Sequence, residues 1–288
     1  MAKDTFLNRK HTLNCKGKLI DMSKPSVMAI LNITPDSFYS KSRMASVEEA
    51  LERTEKFLQA GAKFIDIGAY SSRPGATDVS ETEEIERLVP VVKAINQAFP
   101  DAIISADTFR AKVAEESINA GAHIINDIAA GNLDEKMFET VAKLQVPYIM
   151  MHMKGTPQHM QNNPNYQNVS KEVFSYFSEK IKTLNQLGVK DVILDPGFGF
   201  AKTLDHNYEL LRNLQIFNFF ELPLLVGFSR KSMITKALNI KTEDALNGTT
   251  VLNTTALLKG ANILRVHDVK EAVECVELVN RLIGSLAH

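Results

Sequence analysis

Eight short apolar runs alternate with longer helical patterns along the chain, and this alternation restricts the possible folds more than any other feature. The runs are rich in Ile, Val and Leu and lack alternation between apolar and polar residues, which is typical of strands buried on both faces of a parallel sheet. Strands are predicted at Val27–Asn32, Phe64–Gly68, Ile103–Asp107, Ile124–Asp127, Pro147–His152, Val192–Asp195, Leu224–Gly227 and Ile263–Val266. The spacing of apolar residues predicts helices at about 46–58, Thr82–Phe99, Ala111–Ala120, Asp134–Leu144, Val169–Leu187, Asn207–Leu214, Asn247–Lys259 and about 269–283.

A glycine stands shortly before four of these strands, where a left-handed helix C-cap is needed: Gly61, Gly121, Gly188 and Gly260. Eight such units predict a single α/β domain over residues 26–288, a (β/α)₈ TIM barrel, although an open doubly wound sheet remains an alternative. The length of 288 residues suits one barrel, which uses about 250 residues. Residues 1–25 are predicted to form an N-terminal hairpin or plug of the same domain, turning at Lys16-Gly17.

Composition limits the partners of the chain. With 33 Lys and Arg against 34 Asp and Glu, the net charge is −1, so no global basic field exists to hold a nucleic-acid backbone. No run approaches the ~20 apolar residues of a membrane span. Cys15 and Cys275 lie far apart and form no metal or redox motif, which favours a reducing compartment. We therefore expect a cytoplasmic protein without nucleic-acid or membrane partners.

A polar residue ends or closely follows every predicted strand. The set is Asn32, Asp66, Asp107, Asn126, His152, Asp195, Ser229 and, at the last strand, Arg265 with His267. Any single member could be a helix cap or a turn former. The carboxyl ends of barrel strands meet at one mouth, where the active sites of such enzymes lie, so the whole set predicts a ligand site.

The polar ring divides by chemistry. One group offers hydrogen-bond acceptors that suit a flat heterocycle with an N–H edge: Asp107, Asn126 and Asp195. The other group is cationic and consists of Lys231, Arg265, His267 and, on a loop, Arg73. An acceptor pocket opposite a cationic pocket predicts a substrate with a polar ring and a phosphate-like group.

Other motifs carry less information. The segment from Gly197 to Lys202 has neither a Walker pattern nor a dinucleotide fingerprint and is interpreted as a mobile loop. Phe200 in this loop could stack on a planar ligand or simply pack. His152 and His159 lack the spacing of a zinc hydrolase, and no serine has the context of an acylated nucleophile.

Six further motifs are Leu31–Phe38, Asp66–Gly68 with Ser72–Gly75, Ile125–Ile128, Leu194–Phe200, Ser229–Ser232 and Arg265–Val269. Because all six occur in the same order as in the dihydropteroate synthase family, the chain resembles that family. The likeness runs from about Val27 to the last helix. It implies a (β/α)₈ barrel that joins 4-aminobenzoate to a pterin carrying a methyl diphosphate, in folate biosynthesis. It also implies a homodimer, bound magnesium and sensitivity to sulfonamides.

The resemblance carries expected roles to matching positions. The pterin ring would contact Asp107, Asn126, Asp195, Phe200 and Lys231. The diphosphate would contact Ser72, Arg265 and His267, and its magnesium would be held by Asn32. The 4-aminobenzoate would contact Phe38, Arg73, Pro74, Ser229 and Lys231. Catalysis would depend on Asp107, Asp195, Lys231, Arg265 and His267.

Three positions depart from the family pattern, all in loops that cover the site. Tyr70 stands where many relatives carry Glu, Ser40-Lys41-Ser42 replaces an Asp-Gly-Gly tract, and Lys154 stands where Gln is frequent. Two alternative functions remain at this point. A pterin-binding methyltransferase would share the barrel but not need the diphosphate residues, and a catalytically silent paralogue would bind pterin alone.

Overall fold

A computed structural model describes residues 12–33, 43–70, 79–155 and 164–284. Eight parallel strands, β3 to β10, form a nearly closed barrel with helices around it, as predicted. The strands are β3 Ser26–Asn32, β4 Phe64–Gly68, β5 Ile103–Asp107, β6 Ile124–Asp127, β7 Tyr148–Met151, β8 Val192–Asp195, β9 Leu225–Val226 and β10 Ile263–Val266. Their order in the sheet is β8-β7-β6-β5-β4-β3-β10-β9, and a parallel bridge between Leu194 and Leu224 links the two end strands.

Helices cover the outside of the barrel in the described parts of the chain. They are α1 Arg43–Gln59, α2 Glu81–Ala98, α3 Ala111–Ala120, α4 Met137–Leu144, α5 Val169–Gln186, α6 Leu204–Arg212, α7 Ser232–Leu238, α8 Leu246–Leu258 and α9 Val269–Gly284. Two 3₁₀ helices, Leu214–Phe220 and Thr242–Ala245, lie between them. None of the described helices is long and apolar enough to cross a membrane.

The helix α7 was not predicted. It has seven residues and buries two of them, Met233 and Ile234, which is too short for a periodic apolar stripe to be visible. The predicted helix Asn207–Leu214 also differs, because α6 begins at Leu204 and ends at Arg212, where a 3₁₀ helix follows.

The four junction glycines have the backbone that was predicted for them. Gly61, Gly121, Gly188 and Gly260 have φ angles of 95°, 120°, 80° and 97°. This left-handed region costs little for glycine because it has no Cβ. The glycines let the chain leave a helix and enter the next strand within a few residues, which repeats the unit around the barrel.

The predicted N-terminal hairpin is present and consists of β1 Thr12–Cys15 and β2 Lys18–Asp21. Its inward side packs against residues at the beginning of the barrel strands, among them Phe64 and Ile103. The hairpin side of this contact consists of Leu13, Cys15, Ile20 and the following Met22. The hairpin therefore closes the end of the barrel opposite the mouth, leaving the carboxyl ends of the strands open to ligands.

Strand register places several polar residues at one level of the mouth. Asn32 pairs with Gly68, Gly68 with Asp107, and Asp107 with Asn126. Neighbouring parallel strands lie about 4.8 Å apart, so side chains at the same level on one face lie close together. The register therefore assembles the ring that the strand ends predicted.

Candidate active site

Part of the predicted site lies outside the described residues. Phe38, Ser72, Arg73 and Pro74 belong to the two undescribed segments that follow β3 and β4, and His159 belongs to the one after β7. The departure at Ser40–Ser42 lies in the first of these segments. The other predicted site residues are described, and each lies at or just beyond the carboxyl end of a barrel strand.

Arg265 lies between two carboxylates at the centre of the mouth. Its Nε donates to Asp66 Oδ2 at 2.6 Å, and its Nη2 donates to Asp107 Oδ2 at 2.6 Å. The same Asp66 oxygen accepts a hydrogen bond of 3.0 Å from Nδ2 of Asn126. The expected division into an acceptor side and a cationic side is therefore wrong at Arg265, because buried carboxylates require a cation among them.

Burial sets the protonation of this cluster. Asp66 is fully buried, whereas the side chain of Asp107 is 20% exposed and faces the mouth. Burial raises the pKa of Asp107 to about 7, the Arg265 guanidinium opposes this rise, and Asp66 adds to it. The pKa of Arg265 is itself raised, because the two carboxylates outweigh the effect of its burial. Asp107 is therefore poised to change charge near neutral pH.

Asp66 belongs to the polar ring at the strand ends, and its contacts show what it does there. It holds both Arg265 and Asn126 from beneath the pocket. Its second oxygen, Oδ1, is buried and makes no hydrogen bond with a described residue. A buried acid in the middle of an apolar strand was the signal in the sequence, since such residues almost always have a partner.

On another side of the mouth, Asp195 and Lys231 are linked through one loop. Oδ1 of Asp195 accepts from the backbone N–H of Gly197 at 2.8 Å, and Nζ of Lys231 donates to the carbonyl of Phe198 at 2.5 Å. Nζ of Lys231 also lies 4.8 Å from the centre of the Phe200 ring. Three residues predicted to contact pterin are therefore brought together: Asp195, Phe200 and Lys231.

The charges of this pair are perturbed by burial. Burial raises the pKa of Asp195, and Lys231 partly offsets the rise. Burial also lowers the pKa of Lys231 to about 8, against the attraction of Asp195. Ionisable groups with pKa values displaced by burial and by a specific partner are typical of functional sites.

Ser229 and His267 contact each other across the ends of β9 and β10. Oγ of Ser229 lies 3.0 Å from Nδ1 of His267 and accepts the backbone N–H of His267 at 3.1 Å. Next to them, Arg230 donates to both oxygens of Asp268 at 3.0 and 2.7 Å. These contacts fix the loop after β9 against the start of α9, so residues expected at two different substrates form one surface.

Lys202 is not among the predicted site residues, and His152 belongs to the polar ring without a predicted role; both lie directly behind the site. Lys202 is 4% exposed, and its Nζ lies 3.0 Å from Nδ1 of His152. The segment from Gly197 to Lys202, which was interpreted as a mobile loop, is packed and hydrogen bonded, and Phe198 in it is fully buried. The signal that could have found Lys202 is a lysine closing a glycine-rich loop after a strand-end aspartate.

Asn32 offers an amide oxygen at the end of β3 and is partly exposed. Across the described segments, no cluster of three or more His, Cys, Asp or Glu side chains could hold a metal ion. An amide oxygen is nevertheless a hard ligand of the kind that magnesium accepts.

Comparisons of the sequence and of the structure with known proteins agree on one family. A family model described as "Pterin binding enzyme" matches residues 28–267. The chain is 45% identical to the dihydropteroate synthase of Escherichia coli strain K12, over 95% of this chain and 97% of that protein. A crystal structure of the Yersinia pestis dihydropteroate synthase with a sulfonamide drug has a TM-score of 0.89 and 44% identity, covering 95% of this chain and 99% of that one. The Xanthomonas albilineans dihydropteroate synthase with 4-aminobenzoic acid has a TM-score of 0.87 and 33% identity, covering 94% and 98%.

Proposed function

This chain belongs to the dihydropteroate synthase family, transferases of folate biosynthesis, and from that premise we propose how its mouth performs the reaction. The enzyme joins 6-hydroxymethyl-7,8-dihydropterin diphosphate to 4-aminobenzoate and releases diphosphate. The C–O bond between the pterin methylene and the diphosphate breaks, and a C–N bond to the arylamine forms. The amine loses one proton in the process.

The observation that carries the residue assignment is the cluster of Asp107, Asn126 and Asp195 at the mouth, with Arg265 and Lys231 among them. We assign the pterin ring to this cluster. Carboxylates accept several N–H bonds at once, and the ring presents such donors along one edge. Phe200, beside Lys231, would cover one face of the ring.

Charge development explains the other assignments. As diphosphate leaves, negative charge grows on its oxygens, and we assign its stabilisation to Arg265, near the end of β10, and to His267, just beyond it. Positive charge grows on the pterin methylene and spreads into the ring, where Asp107 and Asp195 would stabilise it. An arylamine is already nucleophilic, so this chemistry needs no strong general base. The described residues of the mouth accordingly act by orientation and electrostatics.

Magnesium fits this site with few protein ligands. The ion is usually held by one or two protein oxygens together with phosphate oxygens and water. Asn32 would provide the protein oxygen, and the substrate diphosphate would provide others. When bound, the ion neutralises charge on the leaving diphosphate. Titration of the protein with magnesium, with and without pterin diphosphate, tests this: binding should require the diphosphate and weaken in Asn32→Ala.

Ser229 and Lys231 are the described residues that we assign to 4-aminobenzoate. The remaining assignments, Ser72 at the diphosphate and Phe38, Arg73 and Pro74 at the arylamine, fall on undescribed segments. We also propose that sulfonamides bind this chain in competition with 4-aminobenzoate. Inhibition by a sulfonamide that does not weaken as 4-aminobenzoate is raised would contradict that proposal.

The direct test of function is diphosphate release when the purified protein is mixed with magnesium, the pterin diphosphate and 4-aminobenzoate. Release that depends on the arylamine is expected. Asp195→Asn should weaken pterin binding and slow turnover, because its amide cannot accept as many hydrogen bonds or stabilise a cation. Tight pterin binding without release would instead indicate a silent pterin-binding protein, and methyl transfer would indicate a methyltransferase.

We further propose that the enzyme is a homodimer that joins through α8 and α9. These helices pack against each other and expose Val251, Leu258 and Leu278. Large exposed apolar residues on adjoining helices are typical of interfaces. Leu278→Glu should therefore give a monomer in sedimentation, whereas Leu19→Glu, at an exposed position of β2, should sediment as the parent does. Identical sedimentation of Leu278→Glu and the parent would rule out this interface.

We propose a cytoplasmic location because of the state of the two cysteines. Both Cys15 and Cys275 are buried free thiols, as expected of a chain in a reducing compartment. Fractionation of the source cells tests this, and recovery of the protein outside the cytosolic fraction would contradict it.

A further inference from the structure

Lys202 is a buried lysine behind the pterin site, and the proposed reaction leaves it without a task. Its Nζ donates to the carbonyls of Gly197 and Phe200 at 2.9 and 3.0 Å. It also lies 3.0 Å from Nδ1 of His152 and 3.4 Å from the carbonyl of that residue. An ammonium has three N–H donors and no acceptor, so this surrounding of acceptors uses every one of its protons.

The loop that Lys202 holds, residues 196–201, has an unfavourable backbone. Gly197, Gly199 and Ala201 have φ angles of 71°, 82° and 49°. An alanine in the left-handed region carries a steric cost that a glycine avoids. Such a conformation persists only where surrounding contacts over-determine it. The Lys202 hydrogen bonds at both ends of this loop are contacts of that kind.

The same loop touches the two charged groups assigned to the pterin ring. The N–H of Gly197 donates to Asp195, and the carbonyl of Phe198 accepts from Lys231. Gly199 lies so close to Lys231 that a Cβ there would be 3.2 Å from its Cδ. A shift of the loop would therefore move a partner of both groups.

We propose that Lys202 is a positioning residue that ties the loop of residues 196–201 to His152 at the end of β7 and thereby holds Asp195 and Lys231 in place for the pterin ring. The inference rests on the pterin site proposed above. Lys202 itself touches no reacting atom in this scheme. It acts through the Gly197 N–H and the Phe198 carbonyl.

The charges around Lys202 set its protonation. Burial lowers the pKa of Lys202 to about 7, Asp195 opposes this, and Lys231 and Lys154 add to it. His152 stays neutral, because burial and Lys202 lower its pKa to about 2. Because burial lowers the pKa of Lys202, loss of the proton favours its buried position over an exposed one. Lys202 should therefore continue to hold the loop as pH rises through neutrality.

The test is calorimetric titration with 6-hydroxymethyl-7,8-dihydropterin, which carries no diphosphate. Loss of one hydrogen bond to a charged group weakens binding by about 10- to 100-fold, so Lys202→Met should raise the dissociation constant within that range. Lys202→Gln keeps two donors without the charge and should lose less. Lys236→Met is the matched control, since this lysine is exposed on α7, and it should bind as the parent does.

One further measurement separates positioning from a general structural role. If Lys202 acts through Lys231, then Lys202→Met should cost much less in a Lys231→Met background than in the parent.

The proposal is overturned if folded Lys202→Met or Lys202→Gln binds the pterin as tightly as the parent, or if the two lysine substitutions are fully additive. It is also overturned if neither variant folds, because Lys202 would then support the fold as a whole. Failure of the parent itself to bind the pterin would be a separate result that contradicts the proposed function.

Discussion

The cluster of Asp66, Asp107 and Arg265 makes a quantitative prediction about pH. Both carboxylates bind Nη2 of Arg265 at 2.6 Å, so their contacting oxygens are no more than about 5 Å apart. At that distance, and at an effective dielectric constant of about 20, two like charges repel by about 3 kcal/mol. This repulsion by Asp66 adds to the effect of burial in raising the pKa of Asp107.

Asp66→Asn removes this repulsion of about 3 kcal/mol and should therefore lower the pKa of Asp107 below its present value of about 7. The asparagine keeps the shape of the side chain and can still accept from Arg265 Nε. The neutral asparagine attracts the Arg265 guanidinium less strongly than Asp66 does. The guanidinium then interacts mainly with Asp107, which lowers the pKa of Asp107 further. The lost repulsion and the stronger interaction with Arg265 both lower the pKa of Asp107, so the direction of the change does not depend on which effect is larger.

The assay is the affinity for 6-hydroxymethyl-7,8-dihydropterin between pH 4.5 and 9, because this ligand lacks a titrating diphosphate. Ionised Asp107 accepts from the ring, so affinity in the parent should fall as pH decreases through about 7. In Asp66→Asn the fall should begin at lower pH, because the pKa of Asp107 is lower there. Asp205→Asn removes an exposed carboxylate at the start of α6 and should leave the profile unchanged. If the affinity of Asp66→Asn falls at the same pH as that of the parent, or at a higher pH, the reasoning is refuted.

Three further predictions concern stability. Gly197→Ala should lower the free energy of unfolding by about 3 kcal/mol. The reason is that φ at this position is 71° and a Cβ would lie 2.1 Å from the His152 carbonyl oxygen. A variant that unfolds at the same urea concentration as the parent would contradict this. Leu13→Ala should lower the free energy of unfolding by about 3 kcal/mol, because it opens a cavity between the hairpin and the barrel. Urea unfolding measures this too, and a change near zero would mean that the hairpin does not close the barrel. The unfolding free energy should rise from pH 7 to 9.5, because folded Lys202 and Lys231, with pKa values lowered to about 7 and 8, lose protons that the unfolded chain still binds. In Lys202→Met that rise should be smaller, and an equal rise would count against the buried ammonium.

Much of the fold is readable from the sequence because each barrel strand is a local pattern. The run Phe64–Gly68 is bounded by a glycine junction and by polar residues, and it forms β4 with the predicted bounds. Short elements such as Ser232–Leu238 are not readable, because seven residues with two buried side chains give no period. Helix ends are equally hard to place, as α6 shows, since local capping competes with tertiary packing.

The residues of the candidate site could also be named from their places at strand ends, but their partners could not. Arg265 and Asp66 are separated by 199 positions along the chain, and no local pattern links them. Lys202 shows the same limit, since its partner His152 precedes it by 50 positions.

The sequence by itself determined the eightfold alternation, the hairpin ahead of it and the identity of the polar groups at the mouth, because periodicity and strand ends are local properties of the chain. Tertiary structure alone decided which charges neighbour one another, which of them are buried and therefore which pKa values move. Closing the sheet brings β10 beside β3 and within reach of β4 and β5, and there Arg265 meets two carboxylates. Interaction energies between charges depend on distance and on burial, and neither quantity exists until the barrel has formed.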